Sequence, residues 1–176
     1  MEYFLTYILP ILLVMIFATL IVVLFIKQEN KRKQFEIRAN EGKGLLNQRI
    51  LAYERLILLL ERLQPESLII REQKANMNSM QFHQHLLKVV RKEFEHNLSM
   101  QLYVKDKTWD KVKRTRDTLV RVINNTAANV KPEAPSIVLG HAIIESGGGE
   151  LIQVSRNSIK SIKKEMNEFY GDNLFF

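Results

Sequence analysis

The chain has 176 residues, with 26 Lys and Arg against 19 Asp and Glu, a net charge of +7 and no cysteine. That length leaves room for one compact domain at most beyond an apolar N-terminus. The missing thiols exclude cysteine nucleophiles and fit a reducing compartment.

The segment from Tyr3 to Ile26 carries no charge and is rich in Leu, Ile, Val and Phe. As a helix it would be about 36 Å long, against a hydrocarbon core of about 30 Å, so it is expected to span a bilayer once, with some tilt. Pro10 is tolerable there. A buried helix of a soluble protein would not run so far without a charge. A signal peptide would have a basic start, a shorter core and a small-residue cleavage site, and this segment has none of these. Lys27, Lys31, Arg32, Lys33, Arg38 and Lys43 all follow the span, which orients the remainder toward the cytoplasm and the N-terminus outward, as in a single-pass protein.

Residues 27–64 read as a stalk helix. Phe35, Ala39, Gly42, Leu46, Ile50, Tyr53, Ile57 and Leu60 recur every three or four positions, giving one apolar stripe with a period near eleven, broadened by Leu56, Leu59 and Leu63. The stripe can drive self-association or dock a partner helix. Several amphipathic segments follow it, however, and packing against the chain's own later helices is the favoured reading. Pro65 stops the stalk.

A second helix is expected over about residues 80–98, capped by Ser79 and lined by Phe82, Leu86, Val89, Val90, Phe94 and Leu98. Gln101 to Val104 reads as extended. A third helix starts near Asp106 or Thr108, with Trp109, Val112, Leu119, Ile123, Ala127 and Val130 inward. Lys131-Pro132-Glu133-Ala134-Pro135 marks a break between modules. A short helix over Ile137 to Ile144 should end at Gly147-Gly148-Gly149. The last helix, about Asn157 to Tyr170, shows Ile159, Ile162, Met166 and Phe169 on one side and Gly171 at its C-cap. The sequence thus divides into an anchor (1–26), a stalk (27–64), a helical core (65–131) and a C-terminal helical segment after a Pro-rich linker (132–176). The expected fold is all-α, a membrane-rooted helix with a small cytoplasmic bundle.

No catalytic constellation emerges. Glu93 and His96 have the Glu-x-x-His spacing of di-iron bundles, but only one copy occurs. His83 and His85, two apart on a helix, point to different sides. Glu145-Ser146-Gly147-Gly148-Gly149-Glu150 lacks the Gly-Lys-Ser/Thr ending of a phosphate loop. No catalytic residue, cofactor or metal is assigned. Trp109 reads first as a core anchor, with a partner- or lipid-facing role second. Lys105, Lys107, Lys111, Lys113, Arg114 and Arg116 crowd around it, a candidate site for acidic partners or anionic headgroups. No nucleic-acid reading motif accompanies the basic surface, so nucleic acid is not expected as a partner. The candidate partner-binding residues are Ile50, Tyr53, Ile57, Leu60, Trp109, Lys111, Arg114 and the apolar tip residues Phe175 and Phe176.

The stretch Glu93-Phe94-Glu95-His96-Asn97-Leu98-Ser99-Met100-Gln101-Leu102-Tyr103-Val104, with Asp106 and Trp109, resembles an uncharacterised family of small bacterial single-span proteins, over most of the chain. The resemblance implies no activity. The plan is also similar to the b-type stator subunits of rotary ATP synthases, but departs from it after Pro65, where broken helices replace a continuous stalk. Together these features predict a non-enzymatic scaffold or accessory subunit, held to the bilayer and joined to other membrane or cytoplasmic subunits, or to its own copies, through helix contacts. The alternatives are an anionic-lipid sensor and a membrane-tethered metal enzyme using Glu93 and His96.

Overall fold

The structure, a computed structural model, describes residues 2–147 and 149–171, and their side chains apart from those of residues 2–10, 34–43 and Tyr170. The elements among the described residues are all helical: α1 (Glu2–Arg62), α2 (Pro65–Glu72), α3 (Ser79–His96), a 3₁₀ turn (Leu98–Tyr103), α4 (Asp106–Ala128), α5 (Ser136–Gly147) and α6 (Glu150–Tyr170). The fold is all-α, as the periodicity predicts. The chain divides into two units, Met1–Asn47 and Gln48–Phe176.

In the first unit, α1 includes a stretch, Ile11–Lys33, long and apolar enough to cross a membrane, with mean hydropathy 2.6 and none of it buried. Large apolar side chains stand open along it, from Ile11 at 62% to Ile26 at 51% exposure. The stripe positions Phe35, Ala39 and Gly42 fall among the side chains outside the description.

The second unit has the core. The last three turns of α1 and the residue after it contribute Ala52, Tyr53, Leu56, Leu59, Leu60 and Leu63, all buried, and they share one core with Leu68, Phe82, Leu86, Val112, Leu119, Ile123, Leu139, Ile143, Leu151 and Ile162 from the later helices. The stripe beyond residue 52 is therefore satisfied by the chain's own helices, the favoured of the two readings. Pro65 ends α1 and also begins α2, where its missing N–H costs nothing at the first helical position.

The short connections are fixed by specific bonds. Asn78, not Ser79, caps α3: its side chain accepts from Gln81 N (2.9 Å) while the Gln81 side chain accepts from Asn78 N (3.1 Å), a reciprocal capping box. Ser79 has a different task. Its N–H donates to Ala134 O (2.8 Å) and its hydroxyl to Pro135 O (3.2 Å). With Ser136 N donating to Met77 O (3.1 Å), these bonds tie the Pro-rich connector to the start of α3. Residues 101–103 are not extended but belong to the 3₁₀ turn, which carries buried Met100 inward. The last helix starts at Glu150, well before Asn157, and places Leu151, Ser155 and Ser158 in buried positions. Gly147 is buried where a Cβ would lie 2.7 Å from Pro65 Cγ, so no side chain fits without a shift of the α2 start. Gly171, at φ +78°, closes α6 in the left-handed conformation glycine favours, with its N–H on Asn167 O at 2.8 Å.

Candidate functional site

Helices α4 and α6 lie against one another through small hydroxyl residues. Thr115 and Ser158 hydroxyls are 2.8 Å apart, Ser158 also donates to Lys111 O (2.9 Å), and the Thr108 and Ser161 hydroxyls are 3.4 Å apart. Short side chains let the two helices approach closely. Beside this seam, long cationic side chains from both helices rise along one groove of about 310 Å³. Lys111 and Arg114 of α4 and Lys160 and Lys164 of α6 line it, with Asn157, Ser158, Ser161 and Val154 between them. Lys111 Nζ donates to Ser161 Oγ at 3.2 Å.

The structure sorts the basic cluster around Trp109. Lys105 pairs with Glu168 (2.7 Å), an exposed bond that raises the ammonium pKa and lowers that of the carboxyl. Lys113 pairs with Asp110 (2.7 Å). Arg116 pairs with Asp117 (2.6 Å) and lies 4.2 Å over the Phe94 ring. Lys111 and Arg114 line the α4–α6 groove, and Arg114 also borders a hollow shared with Asp110 and Asp117.

Trp109 itself is buried, stacked on Phe94 at a centroid distance of 5.3 Å. Tyr53 and Leu60 are fully buried, while Ile57 is partly buried against the same core and Ile50 half-buried. The contacts these residues could offer a partner are occupied by the chain's own helices. Phe175 and Phe176 lie outside the described residues.

A second polar centre joins three distant segments. Glu165, 5% exposed, accepts at Oε1 from Lys105 N (2.7 Å) and from the Tyr53 hydroxyl (3.3 Å). This carboxylate, contributed by α6, satisfies the backbone N–H just ahead of α4, where the sequence suggested Asp106 or Thr108 as the cap. Its buried Oε2 has no hydrogen-bond partner among the described residues.

The metal-type residues do not converge. Glu93 accepts from two of the Arg62 guanidinium nitrogens, Nε at 3.1 Å and Nη2, which raises the Arg62 pKa, and it lies 3.8 Å from Arg71. Two guanidiniums at one carboxylate oppose a cation there. His96 is exposed, His83 bonds Asn124 (2.8 Å) and His85 bonds Glu72 (2.9 Å). No group of three or more His, Cys, Asp or Glu poised for a metal occurs among the described residues. Burial alone would push the Glu72 pKa up, but hydrogen bonds from Arg71 and His85 outweigh it and hold the carboxyl below its ordinary value.

The sequence had pointed to Lys111 and Arg114 but not to Asn157, Ser158, Lys160, Ser161 and Lys164. A usable signal was present: Ser155 and Ser158 flank the apolar face of α6, and Lys160 and Lys164 are four apart, as neighbours on one helix side.

These features define the class: an all-helical chain with an exposed apolar N-terminal helix segment and a small bundle carrying a cationic groove. The chain belongs to the DUF7935 family, a family of unknown function, whose model matches residues 1–169. This fits the uncharacterised family that residues 93–109 suggest. No match to a curated protein or to a solved structure was found.

Proposed function

We propose that this protein is a non-enzymatic scaffold or accessory subunit, anchored by one N-terminal span in a bacterial inner membrane, with its helical domain in the cytoplasm. The observation that carries the reading is the open apolar surface of α1, whose side chains from Ile11 to Ile26 are half or more exposed while those from Tyr53 to Leu63 include a buried stripe. Leaving so many large apolar groups in water is unfavourable by about 1.5–3 kcal/mol each relative to burial, so this segment needs an apolar surrounding. A bilayer supplies one, and the basic residues from Lys27 onward favour the inward orientation. Its partners are other membrane or cytoplasmic subunits, or further copies of the chain.

Extraction of the full chain from native membranes in mild detergent, followed by mass spectrometry, tests this. A reproducible, near-stoichiometric protein partner or a defined homo-oligomer supports the reading. A stable monomer recovered alone removes its main support. The groove at Lys111 and Arg114 favours a second reading, contact with an anionic headgroup surface.

A further inference from the structure

Four cations line the α4–α6 groove, and no carboxylate is among the groove's lining residues. Lys164 meets Glu168 at 3.9 Å through an exposed contact, and Arg114 also borders a neighbouring hollow with Asp110 and Asp117. Around them, three basic side chains of α4 are matched: Lys113 by Asp110, Arg116 by Asp117, and Arg121 by Glu150 at 2.6 Å. Folding thus brings four like charges together at this groove while three cations beside it on α4 are ion-paired. The lining adds Ser161 and Asn157, neutral groups able to hydrogen-bond, beside the ammonium and guanidinium donors. A volume of about 310 Å³ is at the lower end of small-molecule sites and suits a compact anion rather than an extended chain.

We propose that this groove binds a phosphate-bearing anion, carried on a lipid headgroup or free in solution. A phosphate presents several oxygens in different directions and can take bonds from α4 and α6 at once, with Arg114 offering a planar fork of donors and Lys111, Lys160 and Lys164 acting as point charges. The lipid source rests on the protein being membrane-anchored, and the free source does not. A soluble phosphate probe therefore tests the groove even if the anchoring reading fails.

The test uses the full chain in uncharged detergent micelles. Binding of inorganic pyrophosphate, and of micelles doped with phosphatidylglycerol or with phosphatidylcholine, is followed by calorimetry. The double variant Arg114→Gln/Lys160→Gln is compared with Lys88→Gln/Lys163→Gln, which removes the same charge at exposed positions outside the groove. At about fivefold per charge, the groove variant loses about 25-fold in affinity, while screening holds the control to less than about threefold. Should the double variant melt early, each single groove variant supports the same comparison. Binding to phosphatidylglycerol alone assigns the headgroup source, and binding to pyrophosphate as well assigns the free anion. Equal losses in the two double variants, or no binding of either phosphate probe, overturn the proposal. So does groove-dependent binding of polyglutamate that is tighter than that of both probes, which would indicate an acidic protein instead.

Discussion

Two stretches of the same helix, Ile11–Ile26 and Ala52–Arg62, are both rich in Leu and Ile, yet their surroundings are opposite. In the first, the apolar residues run all round the helix and remain exposed. In the second, they alternate with Glu54, Arg55, Glu61 and Arg62, and the apolar side is buried in a core shared with the later helices. Composition sets how much apolar surface a helix has. Angular distribution decides whether its own chain can cover it: a stripe can be matched by neighbouring helices, whereas a full cylinder needs an apolar solvent or many partners.

Substitutions can break this comparison. The largest effect is expected from Leu60→Ala, which removes a fully buried side chain and should destabilise the second unit by about 2–5 kcal/mol in a denaturant titration of the detergent-solubilised chain. Leu24→Ala, at a 57% exposed position, should leave that unfolding transition unmoved. Equal losses at the two sites would show that the open stretch packs on something in the folded chain. Next comes Gly147→Ala, whose Cβ would meet the stiff Pro65 ring at 2.7 Å and should cost about 1–3 kcal/mol in the same titration.

Glu72→Gln is a smaller change that depends on pH. The Glu72 pKa is lowered in the folded state from its ordinary 4.5, so its contribution is full above that pH and is lost as pH falls through the lower folded value. The variant should be about 1 kcal/mol less stable than the parent at pH 7, with the gap closing below about pH 4. A gap independent of pH would mean that the side chain acts by packing alone. The smallest effect is expected from Gly44→Ala. This glycine lies in α1 with nothing within 4 Å of an added Cβ, and alanine should slow amide exchange there by about two- to fivefold.

The helices themselves were legible because each shows a 3.6-residue apolar rhythm, and α4 ends within a few residues of its Asn-rich C-terminus. Boundaries set by long-range bonds were not. Ser79 has the chemistry of a cap, but Ala134 and Pro135 claim its N–H and hydroxyl, and Asn78 takes the capping role through Gln81. The start of α4 is met by Glu165, 60 positions away, which no local rule can anticipate. Of the groove, only the α4 half could be suspected. Lys160 and Lys164 look like ordinary surface residues of a final helix until the Thr115–Ser158 seam brings α6 beside α4. The Glu93 and His96 spacing was correctly read as one helix face, yet its chemistry was decided by Arg62 and Arg71 on other helices.

The Glu165 junction also bears on the order in which the chain can be completed during synthesis. Tyr53 emerges first, Lys105 next, and the carboxylate that receives bonds from both follows 60 positions after Lys105. At about 5–20 residues per second, the ribosome needs on the order of ten seconds to get from the first of these to the last. Throughout that interval the apolar side of Tyr53, Leu56 and Leu60 lacks the α6 residues Leu151 and Ile162 that share its core. A nascent chain arrested before residue 165 would therefore expose a sticky helix face with its polar anchor missing, and it would be a natural substrate for chaperones and proteases.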